Sequence, residues 1–273
     1  MSAPPRIAQT FSQLRAQGKM AFMPFLTAGD PDLSVTQTLL KDWGRRGVDL
    51  VEVGFPYSDP IADGAVIQSS YTRALARKIT IDQIFSALGE LDSQEIPPLV
   101  GMVSYSLIFR YGTERFIKEA KTAGISGLIV PDFPGDEAGE FSRLVQGFGL
   151  DAIQLVAPTT PPARVAKILQ SASGFLYCIS VAGTTGVRDS LPEELSQQLS
   201  QLAAQTDLPL AVGFGISKPE QVDFLRGKAQ GVIVGSAIVR RLEPLEGHPE
   251  RLSSVIADLG EFVDGMVRAT HPS

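Results

Sequence analysis

Apolar residues along this chain fall into two alternating rhythms. Short apolar runs, each bounded by Gly, Pro, Asp or Ser, recur at 21–26, 50–53, 99–103, 127–130, 152–156, 175–179, 210–212 and 232–234. Runs of this length and composition predict eight buried strands. Between them the spacing turns helical: Val35, Leu39 and Trp43 share a face, and Leu191, Leu195, Leu199 and Leu202 repeat at four, four and three. Trp43 is accordingly read as packing. Two helix starts carry the capping-box spacing with a proline in the first turn: Ser190 with Pro192 and Glu193, and Ser217 with Pro219 and Glu220. A helix over 1–18, with Ile7, Phe11 and Leu14 on one face, is expected to close the bottom of a barrel. A last helix over 249–268 turns Leu252, Val255, Ile256, Leu259 and Val263 to the core.

Eight strands alternating with helices in 273 residues lie close to the ~250 usual for a TIM barrel. The expected fold is therefore α/β, a (β/α)8 barrel with an additional N-terminal helix, as a single domain over 1–273. A doubly wound dinucleotide-binding sheet fits less well, because the turn after the first strand, Thr27-Ala28-Gly29-Asp30, lacks the three glycines that bring backbone against a pyrophosphate.

Composition narrows the chemistry. A net charge of −6 with no run of Lys or Arg argues against nucleic acid or an anionic membrane as partner, so any phosphate must be held locally. The lone Cys178, in an apolar run, reads as buried filler in a reducing compartment. His248 and His271 both lie in polar C-terminal context, which excludes a His-dependent triad or a histidine metal centre. With no apolar run near ~20 residues and no secretory h-region, a cytoplasmic protein is expected.

The most informative stretch is 51–68, VEVGFPYSDPIADGAVIQ. Glu52 stands among strand-forming valines one residue before the strand's end, where burial raises a carboxyl pKa toward the range useful for proton transfer. A loop of about 25 residues is expected to follow, carrying Asp59 and Asp63. In a barrel the active site is built at the C-terminal ends of the strands, so these carboxylates offer acid/base chemistry without metal or histidine. Gly213 and Gly215 follow the seventh strand, and Gly235 and Ser236 the eighth, each entering a helix; such turns bind phosphate through free N–H groups. The loop after the sixth strand, 180–188, reads as a candidate lid, and Tyr177 just before it fits either a place pointing into the barrel mouth or one as a core tyrosine. Asp132 is expected to shape its loop or face a partner.

Those segments, together with FLTAGDP at 25–31, VPDFP at 130–134, VAPTT at 156–160, GFGIS at 213–217 and VGSAI at 234–238, resemble the tryptophan synthase alpha subunit family, in order and over nearly the whole chain. The resemblance implies retro-aldol cleavage of indole-3-glycerol phosphate to indole and glyceraldehyde 3-phosphate. It also implies that indole is channelled to a beta subunit in an alpha2beta2 assembly. No cofactor is expected in this chain, and pyridoxal phosphate belongs to the beta subunit. Position by position, Glu52 matches the general acid/base, Asp63 the carboxylate that holds the indole N–H, and Tyr177 the tyrosine near the acid/base. Thr185 matches the lid threonine that meets Asp63, and Phe25, Ile129 and Leu155 match positions enclosing the indole. Phosphate contacts fall on Gly186, Gly213, Phe214, Gly215, Gly235 and Ser236. A stand-alone lyase, a non-catalytic activating subunit and another phosphate-binding barrel enzyme such as an isomerase are the competing readings. The chain departs from the family pattern at Ser104-Tyr105-Ser106, where the family commonly has Tyr-x-Asn in a loop facing the beta subunit, and at Val181, where it often has arginine.

Overall fold

The computed structural model describes residues 5–60, 63–133, 138–179, 193–213 and 215–272. Its eight strands are β1 (Ala21–Thr27), β2 (Val51–Gly54), β3 (Leu99–Met102), β4 (Ile125–Ile129), β5 (Asp151–Val156), β6 (Leu176–Ile179), β7 (Leu210–Gly213) and β8 (Gly231–Val234). They pair in parallel and in sequence order, and β8 returns to β1, which closes the barrel. Helices α1 (Arg6–Ala16), α2 (Leu33–Arg45), α3 (Ala65–Ala76), α4 (Ile81–Gly89), α5 (Tyr105–Tyr111) and α6 (Thr113–Thr122) accompany the first half. Helices α7 (Ala138–Gly147), α8 (Pro162–Ser171), α9 (Glu193–Ala203), α10 (Ser236–Leu242) and α11 (Leu252–Thr270) accompany the second.

Alternation along each strand sorts the apolar residues into two cores. Ala21, Met23, Val100, Ile129, Ile153, Ala211 and Ile233 point inward and fill the barrel with Leu50 and Phe175. Phe22, Leu26, Val51, Val53, Leu176, Cys178, Val212 and Val232 point outward against the helices. Each such side chain contributes about 1.5–3 kcal/mol by leaving water. Trp43 is completely buried in the outer core, as its place in the helical stripe predicts.

The N-terminal helix closes the barrel bottom. Ile7, Phe11 and Leu14 of α1 are buried in the inner cluster, with the Phe11 and Phe175 rings 5.7 Å apart. A Cβ on Gly127 would stand 2.9 Å from Ile7 Cδ1, so glycine in β4 is what admits the plug. With the bottom sealed, the upper end is left for chemistry.

Three expectations need correction. The long connection after β2 is shorter than expected, because α3 starts at Ala65; Ile67, Tyr71 and Ala74 form a buried stripe at helical spacing. After β7 the chain forms a 3-10 helix, Pro219–Leu225, whose N-cap is Lys218 rather than Ser217. The third helical residue is then Gln221, not Glu220, and its Oε1 accepts from the N–H groups of Ser217 and Lys218 at 2.8 and 3.0 Å. The start expected at Ser190 lies outside the described residues. Finally, β4 begins at Ile125, two residues before the predicted run.

Candidate active site

Glu52 is an inward residue of β2, paired in register with Phe25 of β1 and Val100 of β3, and only 3% exposed. Its Oε2 is buried and makes no hydrogen bond among the described residues. Burial, reinforced by the charge of Asp63, pushes its pKa from 4.5 up to about 8. Asp63 lies in the loop between β2 and α3, partly exposed, and burial lifts it from 3.8 to about 6. Near neutral pH the pair therefore holds one proton, on Glu52, and one charge, on Asp63. The separation of roles expected of two carboxyls in one site is present in their environments.

The loop that carries Asp63 is tied to α3. The Gln68 side-chain amide donates to the carbonyl oxygens of Asp63 and Pro60 at 2.7 and 3.0 Å. Helix α3 is itself anchored on β1: the Ser70 and Thr27 hydroxyls meet at 2.6 Å, and Arg73 forms a bidentate pair with buried Asp30 at 2.8 and 2.7 Å. Sequence reasoning passed over Gln68, Ser70 and Arg73. Their signal is weak, since polar residues on a helix usually face water.

Aromatic side chains crowd the same mouth. Phe25, Ile67, Tyr71 and Val239 form a buried cluster, with Tyr57, Val66 and Met102 packed against it. Tyr177 and Leu155, paired in register, stay partly exposed at the upper edge of the inner core, whereas Ile129 is fully buried beneath them. A Cβ on Gly213 would lie 2.6 Å from the Tyr177 hydroxyl, so that hydroxyl spans from β6 to the end of β7. Burial, then the charges of Glu52 and Asp63, push the Tyr177 phenol well above its usual pKa, which keeps it a neutral donor.

Four of the six candidate phosphate residues can be placed, at the ends of β7 and β8. Gly213 ends β7, exposed Gly215 adopts a left-handed backbone (φ +51), and Gly235 joins β8 to α10, whose first residue is exposed Ser236. A Cβ on Gly235 would come into van der Waals contact with Ile67 and Phe25, each at 3.8 Å, so this turn borders the same apolar cluster. Thr185, Gly186 and Phe214, with Val181 and the lid at 180–188, lie outside the described residues. A separate cavity of about 350 Å³, lined by Phe55, Leu75, Ile84 and Leu107 among others, holds neither carboxylate.

Asp132 shapes a helix start. Its carboxylate accepts from the Ser104 hydroxyl at 2.6 Å and the Tyr105 N–H at 2.8 Å, capping α5. Tyr105 packs edge-on against Phe133 (4.4 Å), which stacks on Phe141 (4.6 Å). Cys178 is fully buried, its thiol pushed up to about 12 by burial, in keeping with filler.

A model of the tryptophan synthase alpha chain family matches residues 11–270. The chain belongs to that family. Among its relatives, the tryptophan synthase alpha chain of Chloroflexus aggregans is 42% identical over 264 residues, covering 96% of this chain and 98% of the relative. That of a Synechococcus strain is 44% identical over 264 residues, covering 96% of each. The crystal structure of tryptophan synthase subunit alpha from Legionella pneumophila matches with a TM-score of 0.87 and 35% identity, over 98% of this chain and 99% of that one. A lyase barrel of the tryptophan synthase alpha type thus stands behind the order of strands, and the isomerase reading falls away.

Proposed function

We propose that this chain cleaves indole-3-glycerol phosphate with Glu52 as general acid/base and Asp63 as the charge that steadies the indole nitrogen. The observation that carries the proposal is the pair itself: a carboxyl buried without a partner at Glu52, pushed up to about 8, facing a neighbour at about 6. Neutral Glu52 gives its proton to indole C3, and the ring becomes a cation whose positive nitrogen Asp63 stabilises. The resulting Glu52 carboxylate accepts the proton of the glycerol hydroxyl on the adjoining carbon. As the carbonyl forms there, the carbon–carbon bond breaks and its electrons restore the indole, leaving glyceraldehyde 3-phosphate.

The remaining roles follow the barrel rim. Phe25 and Leu155 flank the indole with Ile129 as floor, Tyr177 donates from the β6 wall, and Thr185 closes over Asp63. The phosphate rests on Gly186, Gly213, Phe214, Gly215, Gly235 and Ser236, where glycine backbone and helix starts supply N–H groups. The chain acts as one barrel domain without a cofactor of its own. The family works with a beta subunit, and we place this chain in an alpha2beta2 assembly in the cytoplasm that passes indole to a pyridoxal-phosphate-dependent partner. Exposed Phe109 (68%), 6.1 Å from Tyr105, and the capped turn at Ser104-Tyr105-Ser106 offer that partner an apolar edge. Among the described residues no helix is long and apolar enough to cross a membrane.

Both carboxylates are intact, which favours catalysis over a non-catalytic activating role. The test is Glu52→Gln, which keeps shape but cannot shuttle a proton. Indole release should fall by at least about 100-fold, with binding of a glycerol-phosphate analogue unchanged. Turnover near that of the parent protein would remove Glu52 from the mechanism, and acceleration by a cognate beta subunit separates the coupled enzyme from a stand-alone lyase.

A further inference from the structure

Tyr71 has no part in the roles above, yet it stands where the reaction needs a donor. The residue is 1% exposed, and its hydroxyl reaches the end of β2. Glu52 and Gly54 are two residues apart on one strand and so face the same side, separated by about 7 Å. A Cβ on Gly54 would come within 2.9 Å of the Tyr71 hydroxyl, so the missing side chain is what lets that hydroxyl reach the strand above Glu52.

Several contacts hold it there. The Tyr57 ring lies 5.6 Å away, and Phe25 closes the other side over the same glycine. On α3 the preceding residue, Ser70, and Arg73, two residues on, are fixed to Thr27 and Asp30. Opposite, the Tyr177 hydroxyl stands over Gly213 in the same way. Two phenols thus flank Glu52 from two walls, each over a glycine at the end of a strand. Burial, and then the charges of Asp63 and Glu52, hold the Tyr71 phenol well above its usual pKa, so it remains protonated and able to donate.

We propose that Tyr71 is a positioning residue for the general acid/base, donating a hydrogen bond to the Glu52 carboxylate in the half of the cycle in which that carboxylate is charged. The proposal rests on the acid/base role given to Glu52 above. Glu52 Oε2, buried and without a hydrogen-bond partner among the described residues, is the atom that receives it. The other oxygen stays free for the substrate. A donor to the charged form lowers the pKa of a carboxyl, so Tyr71 keeps Glu52 from being lifted beyond the range in which it can cycle.

The test is Tyr71→Phe, which keeps the ring and removes only the hydroxyl, read by titrating 13C-labelled Glu52 by NMR in the resting protein. The titration midpoint should rise by about half a unit or more, with the melting temperature unchanged. In turnover kcat should fall about tenfold while KM stays within about twofold, and the alkaline limb of the rate profile should move up with the midpoint. An unmoved midpoint overturns the proposal, whatever the rate does. If the phenylalanine variant does not fold, 3-fluorotyrosine at position 71, a stronger donor of nearly the same shape, should lower the midpoint, and no shift overturns the proposal equally. Because the titration needs no substrate, a chain that fails to cleave indole-3-glycerol phosphate would sink the proposed function without deciding the part played by Tyr71.

Discussion

Glu52 and Asp63 are both carboxyls lifted by burial, and the difference between them lies in how much water each keeps. Glu52 is sealed at 3% exposure and raised further by its neighbour's charge, while Asp63 keeps some solvent and stays ionised above about pH 6. Activity requiring protonated Glu52 and ionised Asp63 should therefore be bell-shaped, between apparent values near 6 and near 8 that belong to the pair. Replacing Asp63 by Asn removes the acidic limb and the second cause of the Glu52 shift, so the alkaline limb should move to lower pH. The rate at the optimum should fall by about 100-fold or more, as expected when a charge aimed at a developing cation is lost. A kcat/KM profile for Asp63→Asn with both limbs in place would contradict this assignment. At this scale Glu52 was legible because a carboxylate among valines conflicts with its surroundings. Tyr71 was not, because a tyrosine on the inner face of a helix reads as core, and nothing local says that Gly54 leaves room for its hydroxyl.

Among the elements, α3 and α5 carry most of what distinguishes the upper face. The first is a clamped shelf, tied to β1 through Thr27 and Asp30 and holding the Asp63 loop through Gln68. The second is a helix of seven residues that depends on Asp132 for its start. Removing that acceptor in Asp132→Ala should cost about 1 kcal/mol of stability, seen as a lowered melting temperature. Since Asp132 is not among the charges that shift Glu52 or Asp63, activity of the isolated chain should hold. Affinity for a cognate beta subunit, measured by titration calorimetry, should drop as Tyr105 and Phe109 lose their fixed orientation; unchanged affinity would move the docking surface elsewhere. Strand positions were readable from the sequence because buried parallel strands are continuous apolar runs. The helix after β7 was not, because Ser217 to Glu220 has the capping-box spacing while the turn is held instead by Gln221, whose Oε1 accepts from the Ser217 and Lys218 N–H groups, and only the fold decides which residue ends the turn.

Over the whole molecule the barrel divides its labour between its ends. The bottom is filled by Phe11, Phe175, Ile7 and Leu50, with the Asp151 carboxyl buried at the foot of β5, whereas the top buries Glu52, the carboxyl raised furthest toward neutral pH. The upper end should therefore cost stability in a pH-dependent way. Below about pH 4.5 Glu52 is protonated in the folded and the unfolded chain alike and no penalty arises. Between there and about pH 8 the unfolded chain releases this proton while the folded chain keeps it. Stability then falls as pH rises, by about 1.4 kcal/mol per unit at most, and the loss levels off above the folded value. Asp63, raised to about 6, adds a loss of the same sign at lower pH, but it is present in parent and variant alike. Glu52→Gln carries no proton to release, so its advantage over the parent protein should be near zero at pH 4, grow through neutrality and reach several kcal/mol by pH 8. Urea unfolding of both proteins at pH 4.5, 6 and 7.5 measures it directly. A variant that is inactive yet increasingly more stable as pH rises would tie the cost of the fold to the group that does the chemistry, while a pH-independent difference would mean that the Glu52 carboxyl titrates no differently in the barrel than in the unfolded chain.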